Sequence, residues 1–160
     1  MKTVCIYHSL DLDGWMSAAI VKHWWIRVQN SSFIQGITNK NYYTNPNTGE
    51  DNIEFIGYNY GQPIPDLSEY YKVIMCDISF PNEIMEEIEL NCATDEFIWI
   101  DHHKSAIESV NTDIIINIKD DDIRHINGLR DTKYAACELT WKYFFPNEPM
   151  PEIVRLLVIS

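Results

Sequence analysis

Three observations predict an α/β fold for this 160-residue chain, with an open, mostly parallel sheet flanked by helices. Short continuous apolar runs occur at "TVCIYH", "KVIMCD" and "FIWID", without the polar alternation of a half-exposed strand. A helical stretch follows each: Gly14 to about Trp25, Pro81 to about Leu90, and Ser105 to about Val110. The runs also close on His8, Asp77 and Asp101.

In chain order, "TVCIYH" is a strand buried on both faces, and "SLDLDG" is the loop that leads into the first helix. Residues 39–52, "NKNYYTNPNTGEDN", are polar and turn-rich, which suits a surface loop or hairpin. "IEFIGYN" reads as another strand, ahead of "KVIMCD". Pro81 fits a first helical turn, with Ser79 and Phe80 just outside it, and "EIMEEIE" is a solvated helix face. After "FIWID" and its helix, "DIIINI" reads as a fifth strand. A helix over about Thr132–Phe145 follows, and a last one over Glu152–Ile159 starts behind Pro151.

The chain has the length of one domain, and its 46% hydrophobic residues are enough for a proper core. Its net charge of −12 argues against a protein that wraps long duplex DNA. A small phosphate-bearing substrate remains compatible, because bound divalent cations reverse the sign locally. Cys5, Cys76, Cys92 and Cys137 show no C-x-x-C spacing and read as reduced cysteines of a cytoplasmic protein. No apolar run approaches the ~20 residues of a membrane span, so no membrane partner is expected.

The strand ends carry the functional signal. His8, Asp77 and Asp101 lie on the carboxyl edge of the predicted sheet, where open α/β folds bind ligands. Asp11, Asp13, His102 and His103 sit a few residues further along the same rim. So many carboxylates cannot share one crevice without cations. Oxygen and imidazole ligands without thiolate suit Mn²⁺ or a similar divalent ion better than a structural zinc.

Each piece has a plainer reading by itself. "DLDG" is often a turn and helix cap, Asp77 can cap a helix, and "DHH" arises by chance. Together, in this order and at strand ends, they are specific. His23 and His125 join no cluster, and Trp24, Trp25, Trp99 and Trp141 read as packing residues. Trp15, next to Gly14, belongs to the rim of the site.

With these residues in place, the chain resembles the DHH phosphoesterase superfamily, most closely its oligoribonuclease and cyclic-nucleotide phosphodiesterase branch. "YHSLDLDGWMSAAI", "VIMCDISF", "WIDHHKS" and "GLRDTKYAACELTWKYFFP" are similar to its four motifs and span nearly the whole chain. The resemblance implies that His8, Asp11 and Asp77 hold one Mn²⁺, and that Asp13, Asp77 and His102 hold a second, with Asp77 bridging. Mg²⁺ or Co²⁺ would serve as substitutes. It implies that His103 faces the scissile phosphate and that Asp101 orients the histidine beside it. Lys133 and Tyr134 stand where small residues are more usual.

The expected activity is two-metal hydrolysis of short oligonucleotides or cyclic (di)nucleotides by a DHH catalytic domain over residues 1–160. Its rivals are a phosphomonoesterase or pyrophosphatase of the same chemistry, and a non-catalytic module that binds a nucleotide or a partner chain. The resemblance leaves a homodimer open. Relatives usually take a further aspartate for the second metal after the fourth motif and carry a C-terminal substrate-binding domain. Neither follows "EIVRLLVIS", so the chain reads as a catalytic half with a weakened second site, and Asp120, Asp121 and Asp122 are the first alternative acids.

Overall fold

The computed structural model describes residues 2–38, 53–92, 96–117 and 126–159, with side chains for 2–28, 53–92, 96–110 and 126–158. The order of elements is β1 (Lys2–His8), α1 (Leu12–Thr38), β2 (Ile53–Tyr58), β3 (Tyr70–Cys76), α2 (Asn82–Asn91), β4 (Phe97–Ile100), α3 (Lys104–Asn117), α4 (Ala136–Phe144) and α5 (Glu152–Ile159). The four strands form one parallel sheet in the order β2-β1-β3-β4. This is the α/β architecture the apolar runs predict. Among the described residues, no helix is long and apolar enough to cross a membrane.

The continuous apolar runs are explained by cover on both faces of the sheet. Val4, Ile6, Val73, Met75, Phe97 and Trp99 pack on one face against Met85 and Ile88 of α2 and Val110 of α3. Their neighbours Cys5, Tyr7, Ile74, Cys76, Ile98 and Ile100 pack on the other, against Ala18 and Val21 of α1 and Leu139 of α4. Behind that second layer, Ile20, Trp141, Phe145 and Val154 join α1, α4 and α5.

Register places the site. Tyr7 pairs with Cys76, and Cys76 with Ile100. One step further along each strand, His8, Asp77 and Asp101 therefore emerge side by side at the carboxyl edge. The α1 connection leaves β1 towards β2, whereas the α2 connection leaves β3 towards β4 on the opposite face. A crevice opens where such connections diverge, between β1 and β3.

Two segments differ from the sequence reading. "DIIINI" does not form a fifth strand, because α3 continues through it to Asn117. A short apolar run has no period of its own, and here it extends the helix it follows. The place beside β4 is taken by residues 126–130, through single parallel bridges from Ile98 to Asn127 and from Asp101 to Arg130. The helix expected from Thr132 begins at Ala136, and α1 runs past Trp25 to Thr38. The expected loop at 39–52 lies outside the described residues.

Gly128 and Arg130 hold the segment along β4. Gly128 has φ +120°, and a Cβ there would stand 2.0 Å from the Trp99 carbonyl oxygen. The Arg130 guanidinium donates to the carbonyls of Trp99 (2.9 Å), Asn127 (3.2 Å) and Ile126 (2.8 Å), tying the segment to β4 alongside the Trp99 N–H bond to the Asn127 carbonyl. Gly128→Ala should cost on the order of 1–3 kcal/mol in urea unfolding through forced backbone strain. A change under about 0.5 kcal/mol, the usual range of a neutral surface substitution, would show that the segment is free to shift.

Candidate metal centre

The loop between β1 and α1 is built to carry carboxylates close to the strand end. Asp11 Oδ1 accepts the Gly14 N–H at 3.0 Å, an N-cap that starts α1 within three residues of His8. A Cβ on Gly14 would lie 1.9 Å from the His8 carbonyl oxygen, so only glycine permits this approach. Trp15 is pinned on the rim, its indole N–H donating to the Ser9 carbonyl (3.0 Å) and its ring set edgewise against Tyr7. The other Asp11 oxygen, Oδ2, lies 3.1 Å from His8 Nδ1.

Asp77 is the centre of the cluster. It is fully buried and has φ +62°, the only positive φ outside glycine among the described residues. Its N–H donates to the Ile100 carbonyl, which fixes the turn that aims the side chain across the crevice. His8 Nδ1 stands 3.6 Å from Oδ2, and His102 Nε2 stands 3.2 Å from Oδ1. Neither carboxylate oxygen accepts a well-aligned hydrogen bond from the described protein atoms, and His8 Nδ1, despite its nearby carboxylates, forms none either. Burial pushes the Asp77 carboxyl up from its ordinary range, His102 pulls it back, and Asp13 and Asp11 add to the rise.

Asp101 supports the two histidines that follow it. Its Oδ1 accepts the N–H groups of His102 (2.7 Å) and His103 (3.2 Å) and lies 2.7 Å from His103 Nδ1. One buried oxygen thus shapes the turn and orients the imidazole. The Asp101 carboxylate raises the His103 pKa against the opposing effect of burial. Beside Asp77, His102 is pushed up to about 8.

Asp13 has a different set of neighbours. Its Oδ1 accepts from Cys137 N (2.7 Å) and its Oδ2 from Ala136 N (2.9 Å), so it caps α4 across the crevice. Glu138 completes that helix start by accepting the Ala135 N–H at 3.0 Å. From this position Asp13 Oδ2 is 3.8 Å from His102 Nε2.

The arrangement fits divalent cations. His8, Asp11 and Asp77 each offer a ligand atom within 4.8 Å of the others, and Asp77, His102 and His103 form a second such set. Asp77 belongs to both. The orphaned atoms are those a cation would satisfy, and the donors are carboxylate oxygens and imidazole nitrogens. All seven residues singled out in the sequence meet in this crevice. Asp13 stands at the edge of the second set, clamped to α4, and His103 stands within it. His125 and the acids Asp120, Asp121 and Asp122 lie outside the described residues. Sequence reading passed over three supports: Gly14 as the close-approach residue, Arg130 as the anchor beside Asp101, and the start of α4 as a partner for Asp13. The signals were the glycine after "DLD", the arginine in "GLRD", and the Glu138 that caps its own helix.

Comparison with known proteins agrees with this geometry. Residues 3–160 match the DHH family, N-terminal domain. The uncharacterised protein R106 of Acanthamoeba polyphaga mimivirus is 26% identical over 154 residues, which cover 94% of this chain and 31% of that protein. The chain therefore spans about a third of the length of this relative. No solved structure matches it. DHH phosphoesterases are metal-dependent hydrolases, and the crevice offers acidic and histidine groups able to hold a metal. From residue 3 to residue 160, this chain belongs to the DHH family as its N-terminal domain.

Proposed function

We propose that the chain is a Mn²⁺-dependent phosphodiesterase that hydrolyses short oligonucleotides or cyclic (di)nucleotides, with residues 1–160 as its catalytic domain. The observation that carries this reading is the buried Asp77 carboxylate, shared by two groups of ligand atoms and accepting no well-aligned hydrogen bond among the described residues. His8 and Asp11 complete one metal set. His102 serves the second, with Asp13 at its edge. Ions bound there would activate water and neutralise phosphate oxygens.

His103 has a separate role in this reading. Its Nδ1 faces Asp101 Oδ1, which favours the protonated ring and leaves Nε2 for a phosphate oxygen. The positive imidazole then stabilises charge that develops on the phosphate. Asp101 is a positioning residue, since it acts through His103. The four free cysteines suit a reducing compartment such as the cytoplasm.

A panel of pApA, cyclic dinucleotides, cyclic mononucleotides and pyrophosphate tests the reading, each with Mn²⁺, Mg²⁺ or chelator. Turnover of a diester with Mn²⁺ and its loss with chelator are expected. Turnover of pyrophosphate alone would replace the reading with its nearest rival.

Asp77→Asn should abolish both Mn²⁺ sites in calorimetric titration, because both sets need that carboxylate. It should also raise the melting temperature of the metal-free protein, since burial of the Asp77 charge is offset only in part by the half-exposed His102 and asparagine tolerates a positive φ. Two intact sites in this variant would refute the bridging role.

His102→Ala and His103→Ala separate the neighbouring histidines. The first should weaken Mn²⁺ binding. The second should keep its metals and lose at least ~10²-fold in kcat, the scale of a positioned acid or charge stabiliser. Loss of a metal from His103→Ala would make His103 a ligand instead.

A further inference from the structure

A cavity of about 400 Å³ opens beside the metal centre, and His103 forms part of its wall. That volume lies in the range of ~300–1,000 Å³ typical of small-molecule sites. Its other walls come from the turn after β3 and the first turns of α2 and α3, with Tyr60 closing one side. Tyr60 is 56% exposed; its ring centre is 6.0 Å from that of His8, and its hydroxyl is 3.5 Å from Ser79 Oγ. Tyr60 thus adjoins both the candidate ligand His8 and the cavity.

The lining chemistry is that of a flat, uncharged and polar-edged guest. Among the described residues no lysine or arginine lines the cavity, and Glu83 does, which disfavours a second phosphate. Ser79, Ser105, Ser109 and Asn82 supply hydroxyl and amide groups, and Asn82 Nδ2 donates to Ser109 Oγ at 2.9 Å across the cavity wall. Phe80, Pro81, Ala106 and Val110 supply the apolar surface.

We propose that this cavity is a base subsite, which takes the heterocyclic base of the nucleotide whose phosphate lies against His103, with Tyr60 stacking on the ring. The assignment rests on the phosphodiesterase reading and deepens it: the substrate is selected by a base within this domain. A phosphate with no base attached gains nothing from the cavity.

The test compares pApA with the same dinucleotide lacking its bases, using wild type, Ser109→Phe, which fills the cavity from an exposed helix position, and Tyr60→Ala, which removes the stacking face. Removing the bases should cost the wild type ~10-fold or more in kcat/KM, the scale of one lost base–aromatic stack. Both variants should lose a similar factor on pApA and match wild type on the abasic analogue. Adenosine, titrated in the presence of Mg²⁺ and followed by amide NMR, should shift resonances of residues 79–83 and 105–110 in wild type but not in Ser109→Phe. Equal losses on both substrates, an unchanged rate on removal of the bases, or shifts driven by inorganic phosphate in place of adenosine would overturn the subsite. Hydrolysis of neither substrate by wild type would overturn the phosphodiesterase reading instead, and the adenosine titration would then decide the cavity alone.

Discussion

A carboxylate buried at the end of a central strand, with no proton donor properly aimed at it, is an unstable thing to fold around. Among the described residues Asp77 is that group, and its left-handed backbone adds strain on the order of 1–3 kcal/mol. Burying an ion without compensation costs several kcal/mol more. Without a cation, the polypeptide limits this cost by raising the Asp77 pKa and by keeping His8 and His102 close to its oxygens. With a divalent cation on each side, the same geometry becomes favourable. The surrounding structure serves to hold that one side chain in place.

The supports fall into two layers. The register of β1, β3 and β4 brings His8, Asp77 and Asp101 into line, and the Asp77 N–H is tied to β4 through Ile100. Outside the strands, loops are shaped by carboxylates that cap them: Asp11 on Gly14, Asp101 on His102 and His103, and Asp13 on the start of α4. These same acids crowd the crevice. Carboxylates that satisfy backbone N–H groups on one side can present negative charge on the other, so the residues that shape these loops are also those that would hold a cation. In a chain of net charge −12, cations held at such a centre would also reverse the sign of the local field.

Much of this was legible in the sequence because buried parallel strands have a plain signature. "TVCIYH", "KVIMCD" and "FIWID" show no alternation, and their polar last residues mark the sheet edge. The fifth strand failed for the same physical reason that makes such runs ambiguous. Ile114, Ile115 and Ile116 carry strand-like side chains, but nothing local separates them from the helix that begins at Lys104. The neighbour of β4 was instead an irregular segment, held by a glycine of positive φ and by one arginine that satisfies three carbonyls. Interactions of that kind depend on distant main-chain atoms and leave little local pattern. The cap that Asp13 places on α4, 123 residues further along the chain, is hidden for the same reason.

Anomalous diffraction from crystals of this protein grown with Mn²⁺, recorded at the manganese edge, bears most directly on the role of Asp77. Two peaks should appear, one among His8, Asp11 and Asp77 and one between Asp77 and His102, with the Asp77 carboxylate contributing to both. The occupancy of the second relative to the first would measure how far the capping of α4 holds Asp13 away from that ion. Absence of manganese at Asp77, with water or a rearranged side chain satisfying its two oxygens, would contradict the metal-centre reading of the crevice.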